Sequence, residues 1–226
     1  MLNAVFSLNT LLTAMRNVGC GEPHAVFAKG LRYIPPSAAR RVDREAFEEL
    51  SPYGFTQGDG FTPEFEDVLH LIDRPAQEFF GYARDETVQQ GILVAAKGRT
   101  AVSVVCRGDQ VELASLSPDT HPADALVAHV PPASPADIRP FSLSQEEFRN
   151  KPAVSDIFDD APARSREAQE LDALFQQPYY GVGQLQTKDK IVSYLDLDAG
   201  RVGIALADGY ISVLPGHPQE MSRKLK

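Results

Sequence analysis

Apolar and polar positions follow one plan in two separate stretches of the chain. Residues 87–116 and residues 189–214 each run apolar, turn, apolar, turn, apolar. The turns are Lys97-Gly98-Arg99 and Gly108-Asp109 in the first stretch, and Ala199-Gly200-Arg201 and Asp208-Gly209 in the second. Glycine-containing turns between β-branched runs predict hairpins, so each stretch is predicted to be a three-stranded antiparallel meander. In the first meander Val102, Val104 and Cys106 share one face, and Ala101, Ser103 and Val105 the other. Both sets are mostly apolar, which predicts a central strand covered on both sides.

Helical spacing frames these meanders. Val5 and Phe6 read as a short opening strand, after which Ser7 caps a helix with Leu8, Leu11, Leu12 and Met15 on its apolar face. Ser37 is expected to cap a second helix, with Val42, Ala46, Phe47 and Leu50 inward and Ser51-Pro52 as its stop. Thr62-Pro63 starts a third, carrying Phe65, Val68, Leu69 and Ile72. A strand over 76–83 leads into the first meander. Residues 118–140 are rich in Pro, Ala and Asp and read as a crossover, with Ala125 to Val130 an edge strand or a short helix. Ser144-Gln145-Glu146-Glu147 is a capping box. Asp156 to Ala163 reads as an acidic loop, and Ser165 to Gln176 as a helix with Ala168, Leu171, Leu174 and Phe175 inward. A strand from Tyr179 to Thr187 precedes the second meander, and Glu220 to Lys226 reads as a frayed helix start. Each half thus runs helix, strand, meander. The expected fold is α+β: one domain over 1–226, with a central antiparallel sheet, flanking helices and a quasi-two-fold internal repeat. The halves are about 1–117 and 141–226.

Composition narrows the function classes. Twenty-two Lys and Arg against 31 Asp and Glu give a net charge of −9. An acidic surface repels phosphate backbones, and no basic stripe is expected to interrupt it, so nucleic acid is a poor partner. The start lacks a basic n-region and a small-residue cleavage site, and no apolar run approaches the ~20 residues of a membrane span. Two distant cysteines, Cys20 and Cys106, form no Cys-x-x-Cys pair and read as reduced thiols. A cytoplasmic protein without membrane insertion is expected.

Catalytic motifs are missing. There is no Walker loop, nucleophile elbow, zinc-protease pair or protein-kinase set. Gly181-Val182-Gly183 lacks the third glycine and the following helix of a dinucleotide fingerprint; a bulge or close approach is the simpler reading. Asp196-Leu197-Asp198-Ala199-Gly200 resembles the start of a calcium loop but carries Gly200 and Ala207 where acidic ligands belong, so it reads as a hairpin turn. His24, His70, His121, His129 and His217 are scattered and read as structural. The acidic runs at Glu45 to Glu49 and Asp156 to Asp160 read as solvated faces. Neither catalytic residues nor metal ligands nor cofactors are assigned.

The order of residues resembles the EspG family, cytosolic chaperones of actinobacterial type VII (ESX) secretion. The resemblance rests on Val5-Phe6 with its Leu-rich helix, and on Glu48-Glu49-Leu50 through Gly54-Phe55. Further matches are Phe61-Thr62-Pro63-Glu64-Phe65, Leu69 through Arg74-Pro75, the Gly98-Arg99 turn, Tyr180-Gly181-Val182-Gly183-Gln184-Leu185, and Tyr194-Leu195-Asp196 with Asp198, Gly200 and Arg201. The chain departs where members often carry tryptophan: it has none, and the last strand reads Gly209-Tyr210-Ile211. The resemblance implies a non-enzymatic binding protein, a monomer or weak homodimer when free. Its implied partner is the helical tip of a PPE-type protein or a PE–PPE heterodimer. By position it points to Tyr180, Gln184, Tyr194, Arg201 and Tyr210 as partner-contacting residues. The competing readings are a small-molecule enzyme on a duplicated sheet and another interaction module. An enzyme predicts a closed cavity with convergent polar groups; a chaperone predicts an open groove without them.

Overall fold

Ser7 ends the first strand and starts the first helix of the computed structural model, which describes residues 2–149 and 164–226. β1 (Asn3–Ser7) runs directly into α1 (Leu8–Asn17), and the Ser7 hydroxyl accepts the Thr10 N–H at 3.1 Å. Leu8, Leu11 and Met15 are buried as their spacing predicts. α2 (Pro36–Leu50) is started by Pro35-Pro36 rather than by a Ser37 cap: a proline ring preset for the first helical turn needs no hydroxyl. Glu49, expected on a solvated face, instead accepts the Ser7 N–H at 2.8 Å and the Ser7 hydroxyl at 2.9 Å. Its carboxylate thereby ties α2 to the N-terminus of α1, where orphan donors and the helix dipole favour an anion.

A small hairpin, β2 (Thr56–Gln57) with β3 (Gly60–Phe61), precedes α3 (Pro63–Asp73), which Thr62 caps. Phe55 stacks on Phe65 with ring centroids 4.4 Å apart, closing this helical layer. Then come β4 (Gln77–Arg84), β5 (Gln89–Lys97), β6 (Thr100–Arg107) and β7 (Gln110–Ser115). Residues 125–128 belong to α4 (Pro122–Ala128), not to an edge strand. β8 (Phe141–Ser144) was not foreseen, because four residues among prolines carry little period-two signal. The capping box is present: the Ser144 hydroxyl accepts the Glu147 N–H at 3.0 Å at the start of α5 (Gln145–Arg149). The acidic stretch expected at Asp156 to Ala163 lies outside the described residues. α6 (Arg166–Phe175), β9 (Gly181–Gln186), β10 (Ile191–Leu197), β11 (Gly200–Ala207), β12 (Tyr210–Pro215) and α7 (Pro218–Leu225) complete the chain.

The strands form one antiparallel sheet of ten, in the order β1-β7-β6-β5-β4-β9-β10-β11-β12-β8. Outward from the β4–β9 seam the two sides read β5, β6, β7, β1 and β10, β11, β12, β8. One face is covered by α1, α2 and α3 on the first side and by α6 on the second. The other face carries α4 and α7 over the middle, where Leu126, Val127, Met221 and Leu225 pack on Ile92, Val94, Val192 and Tyr194. α7 is not frayed: Met221, Ser222 and Leu225 are buried, and Lys226 pairs with Asp124 of α4 at 2.8 Å. β6 is buried along both faces, as its two apolar sets predict.

Candidate docking site

The most buried of the predicted site residues belong to a knot on the α4–α7 face. Tyr194 is 0% exposed and Arg201 3%. The two strands of the β10–β11 hairpin place Asp196 opposite Arg201. Arg201 donates to Asp196 through Nε at 2.6 Å and Nη2 at 2.8 Å, donates to the Pro131 carbonyl at 2.8 Å, and lies 4.2 Å above the Tyr194 ring. Its backbone bridges to the crossover as well, accepting from Ala136 at 2.9 Å and from Gly216 at 2.8 Å. Gly200, at φ 108°, lets residues 134–136 pass: a Cβ there would sit 2.7 Å from the Ser134 carbonyl. The glycines of Gly181-Val182-Gly183 make room in the same way, for Asp196 and for the Tyr194 ring. Within the Asp-x-x-x-Gly-Arg sequence, Asp196, Gly200 and Arg201 thus hold the hairpin to the crossover, while Asp198 and Ala199 at its turn are exposed.

Tyr180 and Tyr210 are exposed but separate. Tyr180 donates its hydroxyl to Asp198 on the β10–β11 turn, and its N–H to the Asp196 carbonyl at 2.8 Å. Tyr210 opens β12, where it faces Ala207 and Ser144. Gln184 stands apart from both, on the floor of a trough at the seam of the sheet.

That trough has a volume of about 870 Å³ and straddles the β4–β9 junction on the face opposite α4 and α7. Tyr82 of β4 and Gln184 of β9 are cross-strand partners, and with Ser193 they line its floor. One wall is a 3-10 turn over Ala25–Gly30, which brings Ala25, Val26 and Lys29 to the rim. The other is Phe148 of α5 with Leu171 and Phe175 of α6. Phe175 was expected inward; it is 49% exposed and tilts against Phe148 at 6.1 Å. Tyr82, Gln184 and Phe175 all remain exposed among the described residues. Phe175 is the last residue of α6 and lies outside the apolar cluster that holds Leu171 and Leu174. Tyr82 had a visible signal, a large aromatic beside Arg84 at a strand end, which the sequence reading did not use.

The chemistry of the trough is that of contact. Burial pushes the Cys106 thiol on its wall up to about 12, and burial with the nearby thiol raises the Tyr82 phenol. Neither group is poised as a nucleophile or base at neutral pH. No cluster of His, Cys, Asp and Glu among the described residues could hold a metal ion. The histidines serve local structure: Nδ1 of His24 and of His121 each accept a helix-start N–H at 3.1 Å. Cys20 lies 3.9 Å from His70, but burial and the Asp73 carboxylate push its thiol up to about 11.

The EspG family model matches residues 7–226. The chain belongs to the EspG family. This EspG protein also shares its fold with the Mycobacterium tuberculosis type VII secretion system chaperone EspG5, solved in complex with a PE25–PPE41 dimer. The TM-score is 0.68 at 14% identity, covering 99% of this chain and 94% of that one. No curated protein matches the sequence. Among the described residues no helix of this EspG chain is long and apolar enough to cross a membrane.

Proposed function

We propose that this chain is a cytoplasmic type VII secretion chaperone that binds the helical tip of a PPE-type protein, alone or paired with a PE protein, and keeps it soluble for export. The observation that carries this reading is the exposed apolar trough across the seam of the sheet, in a member of a family whose solved representative holds a PE–PPE dimer. An apolar helix tip left bare drives aggregation, and an apolar receptor removes that hazard. The trough supplies aromatic and aliphatic walls with an amide and two hydroxyls on its floor, the makeup of a binding surface. Its thiol and phenol are shifted away from ionisation at neutral pH, which supports a binding role without catalysis. Tyr82, Gln184, Phe148 and Phe175 are the residues we assign to the client, with Tyr180 and Tyr210 outside the trough and Tyr194 and Arg201 acting only through the fold.

We read the two sides of the sheet as copies of one unit. The mirrored strand order supports this. So do the starts of α4 and α7, His121-Pro122 and His217-Pro218, which occupy matching places after the third meander strand. On this reading the first unit runs past 117 to include α4.

The test is co-expression with each PPE-like protein of the same genome, followed by affinity capture and light scattering. A stoichiometric complex that keeps its client monomeric, and that Phe175→Asp abolishes, is the expected result. A folded protein that captures no such client, or captures one equally well with Phe175→Asp, overturns the reading.

A further inference from the structure

A second exposed surface lies beside the trough, on the opposite flank of the Ala25–Gly30 turn. Residues 31–35 form an extended strap between that turn and α2. Tyr33 on the strap is 85% exposed and Leu31 54%. Among the described residues, no hydrogen bond engages the backbone of Arg32, Tyr33 or Ile34. Leu31, Arg32 and Ile34 line a cleft of about 230 Å³ together with Leu12, Met15 and Arg16 of α1.

Charge sets this surface apart. Residues 32–44 hold four arginines and one acid, in a chain whose net charge is −9. Arg16 pairs with Asp43 at 2.7 Å, and Arg41 with Glu45 at 3.0 Å. Arg32, Arg40 and Arg44 have no ion-pair partner among the described residues. Singly exposed apolar residues need no explanation, but here Leu31 and Arg32 line a cleft, Tyr33 stands exposed between Arg32 and Ile34 of its lining, and Arg40 and Arg44 follow on α2. Tyr and Arg are the residues most enriched at binding hot spots.

We propose that the strap Leu31–Pro35 and the first half of α2 dock an acidic segment of a partner protein. Its carboxylates would meet Arg32, Arg40 and Arg44, and one of its aliphatic side chains would enter the cleft between Leu12, Met15 and Ile34. Charge complementarity selects an acidic occupant. A polynucleotide or an anionic membrane would extend beyond this small patch onto the acidic remainder of the surface and be repelled there. The proposal is independent of client binding, because the trough is lined by different side chains.

The experiment uses the full chain and a labelled peptide rich in Asp and Glu with one Leu, read by fluorescence anisotropy. Its Asn/Gln counterpart, single-stranded DNA and phosphatidylserine vesicles are the other arms. We expect the acidic peptide alone to bind. Affinity should fall roughly tenfold for Arg32→Ala with Arg40→Ala, and again for Tyr33→Ala, at unchanged melting temperature. No binding of the acidic peptide, equal binding of the Asn/Gln peptide, indifference to these substitutions, or preference for DNA or vesicles each overturns the proposal. Failure of client capture would leave this result untouched, so the two readings are separable.

Discussion

Gly183 and Tyr194 face each other across the β9–β10 pair, and a Cβ on the glycine would stand 2.3 Å from the tyrosine ring. The absence of one methyl group lets a fully buried aromatic lie flat against the next strand. This determines what several residues of the family-like sequence do.

Gly183→Ala should destabilise by about 1–3 kcal/mol through overpacking, read as a lower denaturant midpoint at constant slope. Tyr194→Phe should leave stability unchanged or raise it, because the buried Tyr194 hydroxyl has no hydrogen-bond partner among the described residues. A large loss with Tyr194→Phe would show that the hydroxyl is satisfied in solution.

Arg201→Ala leaves the Asp196 carboxylate in a site where the side chains are 4% and 14% exposed. It should cost about 3–5 kcal/mol, the usual penalty of an uncompensated buried charge. Arg201→Lys should recover little, since an ammonium cannot reproduce the two-pronged contact to Asp196 and the third to Pro131. Client capture should fall only as far as the folded fraction does, which circular dichroism measures alongside.

At the trough the expected pattern is reversed. Phe175→Ala and Tyr82→Ala should each weaken client binding roughly 10- to 30-fold, about 1.4–2 kcal/mol, with little change in melting temperature. Gln184→Ala should do less. A melting-temperature drop in step with lost binding would assign these side chains to the core instead.

Two half-buried imidazoles make stability pH-dependent. Burial holds His24 below the usual value of 6.5, with the Glu78 carboxylate opposing, and burial holds His129 below it, with Glu112 opposing and Arg107 assisting. A value lowered by folding means the unfolded chain takes up the proton first. The stabilisation is therefore complete above 6.5 and is lost as the pH falls below it. The melting temperature should fall as the pH drops below 6.5, and His24→Gln or His129→Gln should each flatten part of that slope. An unchanged slope in both variants would place the acid sensitivity elsewhere.

The thiols should be sluggish. With Cys20 pushed up to about 11 and Cys106 to about 12, both are almost wholly protonated near neutral pH. Alkylation by iodoacetamide should be slow for Cys20 and slower for Cys106, and should reach the rate of free cysteine once denaturant is added. Rapid alkylation of Cys106 in the folded protein would mean that the trough wall opens.

Elements with a strong local signal were legible in the sequence. Ser7, Thr62, Ser144 and Ser165 cap helices where the hydroxyl pattern places them, and both meanders form, with the β10–β11 turn at Asp198-Ala199 rather than at Ala199-Gly200-Arg201. What local pattern could not supply was contact between distant segments. β8 exists because β12 offers it an edge, and Glu49 turns to the Ser7 N–H because α1 presents its N-terminus. The same limit explains the site residues. Gln184 lies on the floor of the trough, whereas Tyr194 and Arg201 are buried and tie the β10–β11 hairpin to the crossover. The neighbours of Tyr82 and Phe175 come from distant segments: β9 sets Gln184 opposite Tyr82, and α5 brings Phe148 against Phe175.

The docking of α7 has a consequence for how the protein is made. Met221 and Leu225 complete the apolar layer that Leu126 and Val127 of α4 begin, and Lys226 reaches back to Asp124. A nascent chain halted before residues 218–225 leave the ribosome holds most of its strands but bares the middle of one sheet face. During translation the protein therefore presents a bare apolar sheet face of its own until α7 emerges to cover it.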